Sequence, residues 1–215
     1  MYKNTFKSLF CILIMIHKLF SYTTDSNVFI IEDDTTVMID SGIGMTQWVP
    51  EEIQKRGLDI DILINTHCHV DHIGGNTFFP QAKIYAHELD APDIENGTQK
   101  TLWQFGFQAP LSFPVYRYLT EGDTITTGNH TLEVIHTPGH TEGSMSLYER
   151  DQKILFSGDC VFEMGIGRMD FPTGSTTQMK ESLNRLLTLD IETILAGHGG
   201  EGTKESIREG LALYF

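Results

Sequence analysis

Six consecutive residues, His67-Cys68-His69-Val70-Asp71-His72, carry three imidazoles and a carboxylate, and no other feature constrains the chain so tightly. An apolar run from Ile60 to Ile64, broken only by Asp61, stands just upstream, and Gly74-Gly75 follow. The pattern reads as a buried strand ending in a tight loop. Alternate side chains of extended backbone point to one side, so His67 and His69 can ligate the same cation. Asp71 and His72, a turn of chain later, can reach a second one. Gly74 and Gly75 let the backbone fold back sharply and open a helix. The plain alternative is a surface loop that happens to be rich in His. Nine His in 215 residues make four metal-type side chains in six positions a poor match to chance. A metal site is expected here.

The length suits a single domain with a substantial core. With 15 basic residues against 29 acidic ones, the formal net charge is −14. Such a surface repels phosphate backbones and anionic membranes over a Debye length. That counts against a nucleic-acid partner and stable membrane association, and the partner expected is a small-molecule substrate. Cys11, Cys68 and Cys160 form no disulfide framework and suit a reducing, cytoplasmic compartment; Cys68 and Cys160 read as small buried residues. At the N-terminus Lys3 and Lys7 precede an apolar run from Leu9 to Ile16, which has signal-like proportions but is too short to span a bilayer. His17 and Lys18 interrupt that run. Residues 1–14 are read as an extension, through a mis-assigned start or a short signal-like segment. A start at Met15 would make Ile16 to Phe20 a first strand, and 15–215 the folded domain.

Short strands dominate from Val28. Val28 to Ile31 and Thr36 to Ile39, joined by the acidic turn Glu32-Asp33-Asp34, read as a hairpin whose second strand ends at Asp40-Ser41-Gly42, and a helix follows from Thr46 to Arg56 with Gly57 as its stop. Strand Ile62–Asn65 delivers the His cluster. A short helix at Ile73 to Phe79, a strand at Lys83 to Ala86 and a helix at Glu88 to Glu95 are expected next. Residues 96–120 crowd Trp103, Phe105, Phe107, Phe113, Tyr116 and Tyr118 around two prolines without a clean period. That segment reads as a loop pinned by its aromatics or, alternatively, as a hydrophobic wall over the site that includes Trp103 and Phe105. Strands at Thr124–Thr126, His130–His136, Ser144–Tyr148, Ile154–Phe156 and Thr193–Ala196 follow, with helices at Ser175 to Leu189 and Lys204 to Tyr214.

Three later strand ends bring a His or an Asp beside glycine: His140, Asp159 and His198. Each alone is weak. Joined to the first cluster, they complete two ligand sets that share a carboxylate. At this point the residues resemble the metallo-β-lactamase-fold hydrolases: His67-x-His69-x-Asp71-His72, then His140, Asp159 and His198, in that family's order. The resemblance implies a four-layer αββα sandwich of α/β (α+β) class. It implies that His67, His69 and His140 hold one divalent metal, that Asp71, His72 and His198 hold a second, and that Asp159 bridges them. Asp40-Ser41-Gly42 is similar to the family's early Asp turn. Asp at 159 also separates the chain from the β-lactamases that place a Cys ligand there.

Within the family the chain looks most like the glyoxalase II thioester hydrolases. Gly165-Ile166-Gly167-Arg168-Met169-Asp170 is similar to their substrate-side loop, which implies that Arg168 stands near the thiol portion. Their extra C-terminal helical domain is expected to be absent, because the chain ends soon after His198. The function implied is a metal-dependent hydrolase that uses a metal-bridged hydroxide on a thioester, with Asp71 both ligating and orienting. Two divalent ions are expected, zinc first and iron or manganese next. A persulfide dioxygenase-like enzyme with one iron on His67, His140 and Asp159, or a lactonase, is the alternative.

Overall fold

The structure is a computed structural model, and it describes residues 15–215. The reading of residues 1–14 falls outside the described residues. Among the described residues there are two sheets of six strands each. The first contains, in spatial order, β1 (Met15–Leu19), β2 (Val28–Glu32), β3 (Val37–Ile39), β4 (Ile62–Asn65), β5 (Lys83–His87) and β6 (Arg117–Leu119). The second contains β7 (Thr124–Thr126), β8 (Thr131–His136), β9 (Met145–Glu149), β10 (Ile154–Gly158), β11 (Thr193–Ala196) and β12 (Glu201–Gly202), also side by side in chain order. β3 to β6 run parallel, as do β10 and β11, while the other pairings are antiparallel. The helices are α1 (Trp48–Arg56), α2 (Val70–Ile73), α3 (Ala91–Asn96), α4 (Thr176–Leu186) and α5 (Lys204–Tyr214).

Period-two alternation explains the layering. On β4, Ile62 and Ile64 face the second sheet, where Val134, Leu147, Phe156 and Leu195 meet them in the central core. Leu63 points the other way and packs with Ile30, Met38 and Ile84 against Val49 and Ile53 of α1. The outer face of the second sheet carries Ile135, Leu155 and Ile194, covered by Met179, Leu183 and Leu186 of α4 and Ile207 of α5. Strands that bury both faces read as continuous apolar runs, as β4 does. The result is the αββα sandwich that the resemblance implies.

Several boundaries differ from the expected ones for local reasons. The helix expected from Glu88 begins at Ala91 instead, because Pro92 suits only the first turn. The turn after the His cluster starts early, as α2, and tightens into a 3₁₀ segment at Gly74–Phe78. Gly74 sits at φ −61°, so it needs no left-handed freedom. Its requirement is space: a Cβ there would stand 2.0 Å from the Ile43 carbonyl oxygen, and one on Gly75 equally near that of Ser41. Ser175 proves to be the N-cap of α4, its hydroxyl accepting from the Gln178 amide. Loss of such a cap costs about 1 kcal/mol. α4 ends at Leu186 because Thr188 and Leu189 bond three residues back instead of four. Among residues 96–120 the chain forms two 3₁₀ turns, Gln99–Thr101 and Trp103–Phe105, before β6. No helix among the described residues is long and apolar enough to cross a membrane.

Candidate metal centre

Loops at the carboxyl ends of β4, β8, β10 and β11 meet at one edge of the sandwich. They bring His67, His69, Asp71 and His72 together with His140, Asp159 and His198. Ligand-type atoms of His67, His69 and His140 lie within 4.8 Å of one another, and the same holds for Asp71, His72 and His198, and for His67, His72 and Asp159. Asp159 reaches both sets: its Oδ2 stands 3.5 Å from His140 Nε2 and 3.6 Å from His198 Nε2, and its Oδ1 3.2 Å from His72 Nε2. Asp71 Oδ2 lies 3.3 Å from His198 Nε2.

The nitrogens that face away from this cluster are tied down. His72 Nδ1 bonds Asp40 Oδ2 at 2.8 Å, His140 Nδ1 donates to the Arg168 carbonyl at 2.7 Å, and His67 Nδ1 meets Thr66 Oγ1 at 3.2 Å. Such partners fix the tautomer and leave the opposite nitrogen free as a ligand. Asp40 also takes the amide and the hydroxyl of Thr66, each at 2.8 Å. It holds φ 56°, a left-handed conformation that Asp tolerates better than most residues.

The inward atoms test whether cations fit. Nε2 of His67, His69 and His72 and Oδ1 of Asp159 are buried without a hydrogen-bond partner. Buried polar atoms are nearly always satisfied. Those of His67, His72 and Asp159 lie together, all from metal-ligating residue types, and fit a cation set; His69 turns its other ring nitrogen to the cluster. Nδ1 of His69 and Nε2 of His140 face each other at 2.8 Å, converging on the same point. Gly197 keeps that point open, since a Cβ there would stand 2.3 Å from Asp159 Oδ1 and 2.6 Å from His72 Cε1.

The charges agree. Burial, then the neighbouring imidazoles, push His67 well down and hold His69 at about 3, so both stay neutral and able to ligate. Burial opposes a charge on His72 and His198, but Asp159, Asp40 and Asp71 around the first, and Asp71 and Asp159 around the second, outweigh it and raise both. Asp159 and Asp71 are lowered despite burial, because the His72 and His198 rings stand beside them. The carboxylates thus carry charge where a cation would be shared. Cys160 is fully buried against Met179 Sδ, 3.9 Å away, and burial pushes its thiol up to about 12. It is inert packing.

A cavity of about 750 Å³ opens above this floor. His69, Asp71, His140, Asp159 and His198 form its base, and Ile43, Leu102, Phe105, Phe162, Arg168 and Phe171 line its sides. Of the aromatic segment, Phe105 faces the cavity, whereas half-buried Trp103 does not line it. Phe171, whose ring packs edge-on to His69 at 5.6 Å, was not singled out in the sequence. Two buried polar residues were also missed. Asn27 donates to the carbonyls of Ala196 and Gly199, both at 2.9 Å, and so moors the His198 loop. Asp90 accepts from the Cys68 amide, the Thr141 hydroxyl and the Gly143 amide at 2.8 to 2.9 Å, tying the His67–His72 loop to the His140 loop. Their only sequence signal is an acid or amide beside an apolar strand, which surface turns share.

Residues 22–198 match the model of the metallo-beta-lactamase superfamily, and the chain belongs to that family. It is 33% identical over 200 residues to a probable metallo-hydrolase of Methanocaldococcus jannaschii, covering 88% of this chain and 95% of that protein. It is 30% identical over 185 residues to the hydroxyacylglutathione hydrolase GloC of Haemophilus influenzae, covering 82% and 87%. Among solved structures it resembles the BLEG-1 B3 metallo-beta-lactamase, with a TM-score of 0.79, 27% identity and coverage of 93% and 98%. It also resembles TTHA1623 in a di-iron-bound form, with a TM-score of 0.77, 28% identity and coverage of 90% and 98%.

Proposed function

We propose that the protein is a metal-dependent hydrolase acting on thioesters, similar in reaction to glyoxalase II. The observation that carries this reading is the set of unpartnered buried ligand atoms of His67, His72 and Asp159, flanked by Asp71 and His198, at the base of a largely apolar cavity. The similarity to a hydroxyacylglutathione hydrolase supports the thioester class. Asp at 159, with Cys160 turned into the core, counts against a β-lactamase of the Cys-ligand type.

His67, His69 and His140 would hold one ion, Asp71, His72 and His198 the other, and Asp159 would serve both. When bound, divalent cations acidify water to near-neutral pKa and draw electron density from a carbonyl. Zinc suits this imidazole-rich set; iron and manganese suit its carboxylates, and the di-iron form of one relative keeps iron in view. The chain's own residues do the rest. Asp71, half-buried and lining the cavity, positions the attacking water and faces the proton it gives up. The aromatic sides exclude bulk water and hold the acyl group over the base. Free, buried Cys68 and Cys160 suit a reducing cytoplasm.

Protein purified without added metal, counted for metal and assayed on thioesters and lactones under air and under nitrogen, tests the reading. Two metals per chain and thioester hydrolysis independent of oxygen are expected. A single iron, oxygen uptake on a persulfide and inert thioesters would overturn it in favour of a dioxygenase. Faster turnover of lactones would move the substrate class.

A further inference from the structure

The sides of the cavity are apolar: Ile43, Val70, Leu102, Phe105, Phe162 and Phe171. Arg168 is the only Lys or Arg among the described residues that line it. Its guanidinium is already engaged. Nε and one terminal nitrogen bond the two carboxylate oxygens of Asp170, both at 2.7 Å, in a bidentate fork. The same group lies over the Phe171 ring, its Cζ 3.9 Å from the centroid. Asp170 sits two residues away on the same loop, so an incoming carboxylate competes with a tethered partner. The paired charges sum to zero at the one Lys or Arg on the sides of the cavity, where the non-reacting portions of a substrate would lie. Lys100, close in sequence to Leu102, is likewise held by Glu142 and Asp93, at 2.8 and 3.3 Å. The net charge of −14 adds a general bias against anions.

We infer that the pocket selects thioesters whose acyl and thiol portions are both uncharged and apolar, and that Asp170 enforces this by neutralising Arg168. This rests on the thioester reading proposed above. It runs against a glutathione-like, anionic thiol portion.

The test compares one acyl group carried by N-acetylcysteamine, which is neutral, and by glutathione, which is anionic, on the metal-loaded enzyme. The wild type is expected to favour the neutral thioester about tenfold or more in kcat/KM. Asp170→Asn keeps the shape but frees the guanidinium, and is expected to narrow that ratio about fivefold through the glutathione arm. The double variant Arg168→Ala/Asp170→Ala removes both charges together and should retain the wild-type ratio. Titration calorimetry with the non-hydrolysable S-hexyl thioethers of the same two thiols reads the preference without turnover. A wild type that prefers glutathione, or an Asp170→Asn ratio equal to wild type, would overturn the inference. If no thioester is hydrolysed while the neutral thioether still binds more tightly, the pocket's preference stands and the hydrolase reading falls.

Discussion

Asp159 and Phe105 face the same cavity, yet Asp159 is 7% exposed and Phe105 is 68% exposed. The contrast holds for the surroundings of each. The base of the cavity is buried at His69, His140 and Asp159 and half-buried at Asp71 and His198, and its loops are moored by Asp40, Asp90 and Asn27 through hydrogen bonds of 2.8 to 2.9 Å. The side formed by the Trp103–Phe105 turn is a short 3₁₀ piece entered through Leu102 at φ 56°, with no buried residue of its own. A base that must align several ligand atoms tolerates little displacement, whereas an apolar side that only lines the cavity can be loosely held. The difference implies that substitutions in the base act on metal retention and turnover, while those in the side act on substrate binding with little effect on stability.

The largest expected effect comes from the residue common to both ligand sets. Asp159→Ala removes a charge that faces His72, His140 and His198. Metal content should fall towards zero and hydrolysis by orders of magnitude; a variant that keeps its full metal complement would break the assignment of Asp159. Next comes Asp40. It touches no substrate and acts through His72 Nδ1, where loss of such an orienting partner typically costs ~10–100-fold in metal affinity or activity. Asp40→Asn should show that loss in a chelator competition, together with a change in tautomer at His72 visible by NMR. Unaltered affinity would reduce Asp40 to a loop brace.

The two regions were also unequally legible in the sequence. His67, His69, Asp71 and His72 stand in one short run after an apolar strand, so spacing alone displays them. His140, Asp159 and His198 became legible only when joined to that run, since a His after a strand is an ordinary thing. Asp40 was visible as a turn, but its bond to a ring 32 residues away was not. Asp90 and Asn27 left no mark, because what distinguishes them from surface turn residues is burial, and burial is set by the packing of both sheets. The αββα layering came from the family resemblance; period-two runs alone support only mixed α and β. The side of the cavity was the least legible part. Trp103 and Phe105 lie two apart on a 3₁₀ turn, where neither the helical nor the strand period says which one turns inward.

A smaller, pH-dependent effect should separate the base from the scaffold behind it. His87 and His136 end β5 and β8, their rings stacked 4.1 Å apart at 13°. Burial first, and the His136 ring second, lower His87 to about 4, against the weaker upward pull of Glu121. The unfolded chain takes up that proton near ~6.5. Between about pH 6.5 and 4 the unfolded state therefore binds more protons, and stability falls as pH falls through that window. Above it the contribution is complete and flat. His87→Gln should flatten the dependence of the urea midpoint on pH over this range, relative to wild type at equal metal loading. An unchanged slope would mean that His87 protonates freely in the folded protein.

The smallest effect lies in the side of the cavity, where the neighbours Trp103 and Phe105 provide an internal control. Phe105 lines the cavity, packing near Phe171 with centroids 6.1 Å apart, and is largely exposed. Its removal deletes a patch of apolar contact with substrate and leaves no buried void. A pocket contact of this kind is worth ~1–3 kcal/mol at most, and partial exposure places the loss towards the lower end. Phe105→Ala should raise KM several-fold for the apolar thioester, with kcat and the melting temperature nearly unchanged, the signature of uniform binding. Trp103 is half-buried and does not line the cavity, so Trp103→Ala should lower the melting temperature and leave KM where it was. Exchanged outcomes, with Trp103 shifting KM and Phe105 shifting stability, would show that the turn faces the other way when substrate is bound. That result would require the loose side of the cavity to close over its substrate, and it would replace a fixed wall by a moving one.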